Sequence, residues 1–243
     1  MNGPRPRIDQ LLVERGLAES RERAQALVIA GYVLVDGQKA RKPGQAVKRD
    51  SRIELTERLP FVGRGGLKLK GALDGFGIDV AGKVCVDIGS STGGFTDCLL
   101  QRGAARVYAV DVGAGQLDWK LRNDPRVVVK ESVNARYLTP GDIGGPADLV
   151  TCDVSFISVT LILPALVRLL KPAGIMIILV KPQFEAGRRQ VGKGGIVKDP
   201  ALHAAVCARI EAAVRGYGFR TAIMDSPIQG AEGNREFLLY ASH

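Results

Sequence analysis

The sequence predicts an α/β protein in which a mostly parallel β-sheet follows a small N-terminal α+β module. Beyond residue 80, short apolar runs alternate with helix-like stretches, the pattern of strands buried on both faces of a parallel sheet. Residues 1–60 instead hold two short helix-like stretches and then the hairpin signal Asp36-Gly37. A length of 243 residues suffices for one large domain together with a small one.

The positive charge is concentrated near the N-terminus. The formal net charge is +9, and residues 1–70 hold 15 Lys and Arg against 8 Asp and Glu. Residues 71–243 hold 19 against 17. This distribution favours either a polyanion bound mainly by the N-terminal part or a solubilising basic surface, and charge alone does not choose between them.

The sequence disfavours membrane and metal-binding classes. No apolar run reaches the length of about 18 residues that a membrane span needs, and no apolar signal segment follows Met1. We therefore expect a cytoplasmic protein without membrane contact. The cysteines are scattered and form no Cys-x-x-Cys pair, which predicts buried thiols and no metal site. They are Cys85, Cys98, Cys152 and Cys207.

The first 58 residues predict two helices followed by a small antiparallel sheet. Residues 8–16 and 20–31 follow helical spacing. Residues 32–35 and 47–55 predict strands, and Asp36-Gly37 is a strong turn signal after the first of them.

Three motifs in this segment resemble the small RNA-binding module named after a small-subunit ribosomal protein. They are Arg7-Ile8-Asp9-Gln10-Leu11-Leu12, Ser20-Arg21-x-x-Ala24 and Gly31-Tyr32-Val33-Leu34-Val35-Asp36-Gly37. The resemblance implies RNA as a partner. Because the segment has few aromatic residues, we expect contacts with phosphates and RNA shape rather than base stacking. The predicted RNA-binding residues are Arg5, Arg7, Arg21, Arg23, Lys39, Arg41 and Lys42.

A linker is predicted at residues 59–64, between an RNA-binding module at 1–58 and a second domain at 65–243. Residues 67–73 suggest a short helix that enters the second domain. Lys68 and Lys70 cannot share a face of that helix, because residues two apart point in different directions. One of them is expected to face a site, with Lys68 favoured and Lys70 as the alternative.

The second domain alternates strands and helices and is expected to end in an antiparallel hairpin formed by Thr221–Met224 and Glu236–Tyr240. The preceding strands are predicted at Val84–Ile88, Val107–Val110, Val127–Val129, Leu149–Cys152 and Ile175–Val180, and the helices at Phe95–Arg102, Leu117–Arg122, Ile157–Leu170 and Pro200–Gly216.

A loop of small residues follows the first of these strands. Its glycines, at 89, 93 and 94, match neither the dinucleotide fingerprint nor a phosphate loop. The run from Asp87 to Phe95 resembles motif I of the S-adenosylmethionine-dependent methyltransferases, where the loop passes under the methionine part of the cofactor. The resemblance implies a Rossmann-like fold and S-adenosyl-L-methionine as cofactor. For the loop alone, an ordinary tight strand-to-helix turn is the alternative.

Further cofactor contacts are expected at the carboxyl ends of the strands, where such sheets bind ligands. Asp111 can accept hydrogen bonds from two ribose hydroxyls, and the Asn134 amide can bond an adenine edge. The predicted cofactor-binding residues are Asp87, Gly89, Ser90, Ser91, Thr92, Gly93, Gly94, Phe95, Asp111, Asn134 and Asp153.

Lys68, Asp153, Lys181 and Glu236 resemble the Lys-Asp-Lys-Glu tetrad of RrmJ/FtsJ-like RNA ribose 2′-O-methyltransferases. The likeness is closer still to the TlyA-type proteins, the hemolysin A family, and covers nearly the whole chain. It rests on motifs that include Gly65-Gly66-Leu67-Lys68-Leu69, Asp111-Val112-Gly113-x-Gly115-Gln116-Leu117, Asp153-Val154-Ser155-Phe156-Ile157-Ser158, Val180-Lys181-Pro182-Gln183-Phe184-Glu185 and Gly233-Asn234-x-Glu236.

This resemblance implies methylation of cytidine in ribosomal RNA, with ribosomal RNA or ribosomal subunits as partner. A ribose hydroxyl is a poor nucleophile near neutral pH, so Lys181 is expected to accept its proton. Asp153 would orient Lys181, while Lys68 and Glu236 would position the ribose. For Lys181 and Asp153 the structural alternative is a buried ion pair at the sheet edge, and for Lys68 and Glu236 a structural role is a stronger alternative because each rests on one local match.

Three other functions compete with this reading. A non-catalytic RNA-binding or ribosome-assembly factor would keep the fold with a vestigial cofactor site, but the intact loop and all four tetrad positions favour an enzyme. A pseudouridine synthase often carries the same N-terminal module, but no Arg-Leu-Asp catalytic loop is visible. A membrane-acting hemolysin lacks support because no membrane segment is visible.

Overall fold

The computed structural model describes residues 5–29, 31–55, 60–187, 190–192, 194–230 and 233–243, apart from the side chains of Arg23 and Ala26. The chain divides into two compact units, Met1–Leu59 and Pro60–His243. We call them the N-terminal and C-terminal units. Leu59 of the predicted linker lies outside the described residues, whereas residues 60–64 belong to the C-terminal unit, where the Val62 N–H donates to Asp97. The predicted domain ranges stay a prediction.

The N-terminal unit packs two helices against a three-stranded antiparallel sheet. The helices are α1 (Ile8–Glu14) and α2 (Arg21–Ile29), and the strands β1 (Val33–Val35), β2 (Gln38–Lys39) and β3 (Ile53–Leu55) lie in the order β2-β1-β3. The turn between β1 and β2 has positive φ at both Asp36 and Gly37, which suits a tight hairpin. A core of apolar side chains from both helices and the sheet holds the unit together.

The C-terminal unit is built on a seven-stranded sheet with the order β6-β5-β4-β7-β8-β10-β9, in which only β10 runs against its neighbours. The predicted mostly parallel sheet with an antiparallel last strand is therefore confirmed. The strands are β4 (Val84–Ile88), β5 (Arg106–Val110), β6 (Val127–Lys130), β7 (Ala147–Cys152), β8 (Leu170–Val180), β9 (Arg220–Asp225) and β10 (Phe237–Ser242).

Helices cover both faces of this sheet, and apolar clusters fill the space on each side. The α-helices are α3 (Gly65–Gly75), α4 (Gly94–Gln101), α5 (Trp119–Arg122), α6 (Leu163–Arg168), α7 (Pro182–Glu185) and α8 (Pro200–Arg215), and short 3₁₀ turns lie at Ala135–Tyr137, Pro140–Ile143 and Val159–Leu161. Among the described residues, no helix is both long and apolar enough to cross a membrane. All four cysteines are buried free thiols.

Two predicted helices are shorter than expected, for identifiable reasons. The stretch predicted as one helix at 157–170 holds a 3₁₀ turn followed by α6, because Pro164 is tolerated only in the first turn of a helix. Strand β8 then begins at Leu170 instead of 175. The helix predicted from Leu117 begins after Asp118, whose carboxylate accepts from the Lys120 N–H and caps it.

The strand predicted over 47–55 is limited to β3. Residues 48–51 form a turn instead, closed by a hydrogen bond from the Ser51 N–H to the Lys48 carbonyl.

Candidate active site

The order of the strands reverses between β4 and β7, and the C-terminal unit has a cleft at the carboxyl ends of these strands. Such a switch point leaves a crevice because the connections leave the two strands in opposite directions. The cleft has a volume of about 500 Å³, within the range of small-molecule sites. Its lining includes Gly89, Asp111, Asn134 and Asp153.

The loop after β4 is shaped by close backbone approach. Gly89 has a φ of +81°, and a Cβ atom there would lie 2.2 Å from the Asp153 carbonyl oxygen. At Gly93, φ is +97° and a Cβ would lie 2.2 Å from the Leu121 side chain. Both positions therefore demand glycine, but only Gly89 lies in the cleft wall, while Gly93 packs against the core.

Ser90, Ser91, Thr92, Gly94 and Phe95 line a smaller depression of about 130 Å³ next to the cleft, together with Asp153. These predicted loop residues are thus brought together at one edge of the sheet. Gly93 is not among the residues that line either cavity, and its contact with the cofactor stays a prediction.

Asp87 also lies away from the cleft. Its side chain is fully buried, and its oxygens accept hydrogen bonds from the hydroxyls of Thr96 at 2.7 Å and Thr151 at 3.1 Å. Burial raises its pKa to about 6. Asp87 thus ties β4 to α4 and β7 from behind the loop, and its predicted contact with the cofactor stays a prediction.

The raised pKa of Asp87 makes a testable contribution to stability. The folded protein binds this proton more tightly than the unfolded chain, whose aspartate titrates near 3.8. Stability from this group is thus greatest below pH 4, falls as the pH rises to about 6, and is then level; the total loss is about 3 kcal/mol. As the pH rises from 5 to 8, the unfolding free energy of Asp87→Asn should increase by about 1 to 2 kcal/mol relative to that of wild type, as measured by urea unfolding. Parallel pH dependences for the two proteins would contradict this assignment.

Asp111 and Asn134 also line the cleft. Asp111 follows β5, and its two carboxylate oxygens each accept a backbone N–H at 2.8 Å, from Ser91 and Gly113. The side-chain oxygen of Asn134 accepts from the Arg136 N–H at 3.1 Å. Each carboxylate oxygen keeps a second acceptor site, and the Asn134 amide nitrogen keeps its donors. The local turns therefore hold both side chains in place without using up their capacity to bind a ligand.

Two lysine–carboxylate pairs lie at the same edge of the sheet. Lys181 Nζ lies 2.5 Å from Asp153 Oδ1, and Lys68 Nζ lies 2.6 Å from Glu236 Oε2. Lys181 follows β8 and Glu236 precedes β10, and the register partners Val180 and Phe237 put these two residues opposite each other. Asp153 follows β7, the neighbour of β8. The four predicted catalytic residues thus lie at one edge of the sheet as two pairs, and of the four only Asp153 lines the cleft.

The two candidate lysines of α3 have different surroundings. The Lys68–Glu236 pair is buried, with side-chain exposures of 10% and 3%. Lys70 is exposed and pairs with Asp74 one helical turn away. Lys68 is therefore the lysine of α3 that faces Glu236, and Lys70 lies on the solvent side.

Sequence reasoning left out two polar residues of the cleft wall, Ser155 and Gln116. The Ser155 hydroxyl accepts a hydrogen bond from Lys181 at 2.9 Å, and the Gln116 side chain contacts the Ser91 hydroxyl at 3.3 Å. Both residues lie inside motifs on which the family resemblance rests, and membership of those motifs was the sequence signal that could have identified them. In the part of the chain that the structure describes, no group of side chains could hold a metal ion.

In the N-terminal unit, two predicted RNA-binding arginines converge on one buried carboxylate. Asp9 has no exposed surface and pairs with Arg7 at 2.9 Å and Arg21 at 3.3 Å, while both arginines remain about half exposed. The Arg7 guanidinium holds the pKa of Asp9 well below its usual range. The arrangement holds the guanidinium groups of Arg7 and Arg21 at the surface, and each of them keeps N–H donors that do not bond Asp9.

The other predicted RNA-binding residues form a second group. Arg5, Lys39 and Arg41 line one open cleft of about 380 Å³, to which Lys48 adds a further positive charge. Lys42 is exposed next to it in sequence. The side chain of Arg23 lies outside the described residues.

Comparison with known proteins follows the same division of the chain. The FtsJ-like methyltransferase family matches residues 61–243, and the S4 domain matches residues 6–53. The chain is 50% identical over 240 residues to the 16S/23S rRNA (cytidine-2′-O)-methyltransferase TlyA of Mycobacterium tuberculosis, covering 97% of this chain and 89% of that protein. It is 42% identical over 236 residues to hemolysin A of Brachyspira hyodysenteriae, covering 96% and 98%.

Two solved structures are also similar to this chain. A structure from Streptococcus thermophilus has a TM-score of 0.77 and 47% sequence identity, and the match covers 98% of this chain and 88% of that one. An S-adenosylmethionine-dependent methyltransferase from Mesorhizobium loti, with a TM-score of 0.54 and 18% identity over 74% of this chain and 100% of its own, shares the fold.

Proposed function

We propose that this chain, which belongs to the FtsJ-like methyltransferase family and carries an S4 domain, transfers a methyl group from S-adenosylmethionine to the 2′-hydroxyl of a cytidine ribose in ribosomal RNA. The observation that carries the proposal is the pair of lysine–carboxylate contacts, Lys181 with Asp153 and Lys68 with Glu236, beside the switch-point cleft. The predicted membership of the hemolysin A family is confirmed by the full-length relatives.

The cleft has the volume and the polar side chains expected of a site for S-adenosylmethionine. Asp111 would accept from the ribose hydroxyls, Asn134 would bond the adenine edge, and the loop from Gly89 to Phe95 would run along the methionine part. Because Gly89 has no Cβ, its backbone can lie close to the Asp153 carbonyl at the switch point. When bound, the cofactor supplies a methyl group on a positively charged sulfur, an already activated electrophile.

The residues beside the cleft then have separate tasks. Lys181, as the neutral amine, accepts the proton that the 2′-hydroxyl loses while its oxygen bonds to the methyl carbon. Asp153 holds the lysine side chain in place through the 2.5 Å contact. Lys68 and Glu236 position the ribose, and alignment of the hydroxyl with the methyl group supplies a large part of the rate.

The basic surface of the N-terminal unit would bind the RNA backbone. The guanidinium groups held by Asp9 are about half exposed, and the basic side chains of the cleft that contains Arg41 are exposed, so both present positive charge to solvent. Such contacts release counterions, so affinity depends steeply on salt.

The decisive experiment incubates purified ribosomal subunits with the protein and S-adenosylmethionine and maps 2′-O-methylation across the ribosomal RNA. New 2′-O-methylcytidine in the presence of wild-type protein supports the proposal. An RNA-binding protein that binds S-adenosylmethionine but adds no methyl group would favour the alternative, a non-catalytic assembly factor.

Loss of the Asp111 carboxylate should weaken cofactor binding. Two charge-assisted hydrogen bonds contribute a few kcal/mol, so Asp111→Ala should raise the Kd for S-adenosylmethionine at least about tenfold in calorimetry. Asp124→Ala, which removes a surface carboxylate paired with Arg126, is the matched control and should leave the Kd unchanged. Equal affinities for wild type and folded Asp111→Ala would remove Asp111 from the site.

Loss of one phosphate contact should reduce the salt dependence of RNA binding. Arg41→Gln is expected to weaken binding and to lower the slope of log K against log salt by about 1, measured between 50 and 200 mM salt. Arg49→Gln removes the same charge from an arginine that pairs with Glu14 and should have a smaller effect. Identical slopes for Arg41→Gln and wild type would exclude Arg41 from the RNA-binding surface.

A further inference from the structure

The Lys181 ammonium is surrounded on three sides. Asp153 Oδ1 lies at 2.5 Å, the Ser155 hydroxyl oxygen at 2.9 Å, and the centre of the Phe184 ring at 5.9 Å. Only 11% of the Lys181 side chain is exposed. Asp153 already has a role in the proposed mechanism, whereas Ser155, the other polar neighbour, has none.

The backbone directly after Ser155 has an unusual conformation. The next residue, Phe156, has a φ of +65°, which is strained for a side chain of this size. Its ring packs against Phe184 with the centroids 4.9 Å apart. Phe156 is 92% exposed, so this ring contact joins the segment after β7 to the short helix α7 at the surface.

A second contact fastens the same two segments. Glu185 at the end of α7 accepts hydrogen bonds from the Ser158 hydroxyl and the Val159 N–H, both at 2.7 Å. Arg209 of α8 bonds Glu185 in turn. The position of Ser155 relative to Lys181 is therefore set by contacts on both sides of it.

The number of N–H donors on Lys181 determines how the hydrogen bond to Ser155 affects the direction of the lysine lone pair. A neutral amine has two N–H bonds and one lone pair. The hydrogen bond to Ser155 fixes the direction of one N–H, whereas Asp153 Oδ1, although 2.5 Å away, makes an ion pair without a hydrogen bond. With Asp153 alone, the amine can rotate about its bond to carbon and point the lone pair elsewhere.

We propose that Ser155 is a positioning residue, which accepts a hydrogen bond from Lys181 and so directs the lysine lone pair towards the ribose 2′-hydroxyl. The inference rests on the proposed function, because it assigns a purpose to the orientation of Lys181. Ser155 is exposed in the cleft wall, so removal of its hydroxyl costs no core packing. Misalignment of a reacting group by about 1 Å can lower a rate about 100-fold.

The test compares Ser155→Ala, Ser155→Thr and the control Ser242→Ala in the full-length protein. Ser242 lies at the opposite end of β10 from Glu236, so the control makes the same chemical change away from the cleft. Single-turnover methyl transfer to ribosomal RNA gives the rate, and calorimetry and RNA titration give the two dissociation constants. Urea unfolding reports stability.

Ser155→Ala should lower the single-turnover rate about tenfold or more, with both dissociation constants within about twofold of wild type. Ser155→Thr keeps a hydroxyl and should recover most of the rate, which a merely structural role for residue 155 would not explain. Ser242→Ala should match wild type. A wild-type rate in Ser155→Ala, or a Ser155→Thr rate as low as that of Ser155→Ala, would overturn the inference while the proposed function stands. A wild-type protein that transfers no methyl group would overturn both.

Discussion

Lys181→Ala is expected to lower the single-turnover rate of methyl transfer by about 100-fold or more, with little change in the binding of S-adenosylmethionine or RNA. General-base contributions have this magnitude. The loss would appear in the rate rather than in the affinities because the proton moves only in the transition state. Single-turnover measurements at saturating cofactor and RNA, together with separate binding titrations, give both quantities.

Lys181→Arg separates proton transfer from charge placement. Arginine keeps the positive charge beside Asp153 but cannot lose a proton in a protein. If Lys181 accepts the proton, the arginine variant should be nearly as inactive as the alanine variant. A folded, RNA-binding Lys181→Arg protein with a rate near wild type would leave Lys181 with an electrostatic role only.

Glu236→Ala is expected to have the largest effect on stability. It leaves the buried Lys68 ammonium without its carboxylate at 2.6 Å, and breaking one partner of a buried pair costs about 3–5 kcal/mol. The exposed pair of Lys70 and Asp74 is a matched control in the same helix. Lys70→Ala should cost less than about 1 kcal/mol, because Asp74 keeps Arg102 as a partner. Urea unfolding of the two variants measures the difference.

A double variant separates the structural role of this pair from its role in the reaction. Lys68→Met combined with Glu236→Gln removes both charges while keeping similar volumes, so most of the lost stability should return. Methyl transfer should not return, because the ribose would lose its two charged contacts. Recovery of both stability and rate in the double variant would show that Lys68 and Glu236 serve the fold alone.

The sequence by itself determined the parallel strands, the glycine loop and the residue types at the strand ends. Strands such as Val84–Ile88 were found with their observed bounds, because continuous apolar runs between helices are a local signal. Lys181, Asp153 and Glu236 were predicted from their motifs at the ends of strands. Once the sheet is parallel, the carboxyl ends of neighbouring strands must lie at one edge.

Only the tertiary structure decided which side chains face the cleft and which support it from behind. The pattern of residues 87–95 did not distinguish Asp87 and Gly93 from their neighbours. Asp87 instead binds Thr96 and Thr151, and Gly93 contacts Leu121. Likewise, α3 alone left Lys68 and Lys70 as alternatives, and the choice depended on Glu236, 168 residues further along the chain. Helical and strand periodicity act over a few residues, whereas burial and ion pairing depend on which distant segments pack together, and a single sequence does not encode those contacts in any local pattern.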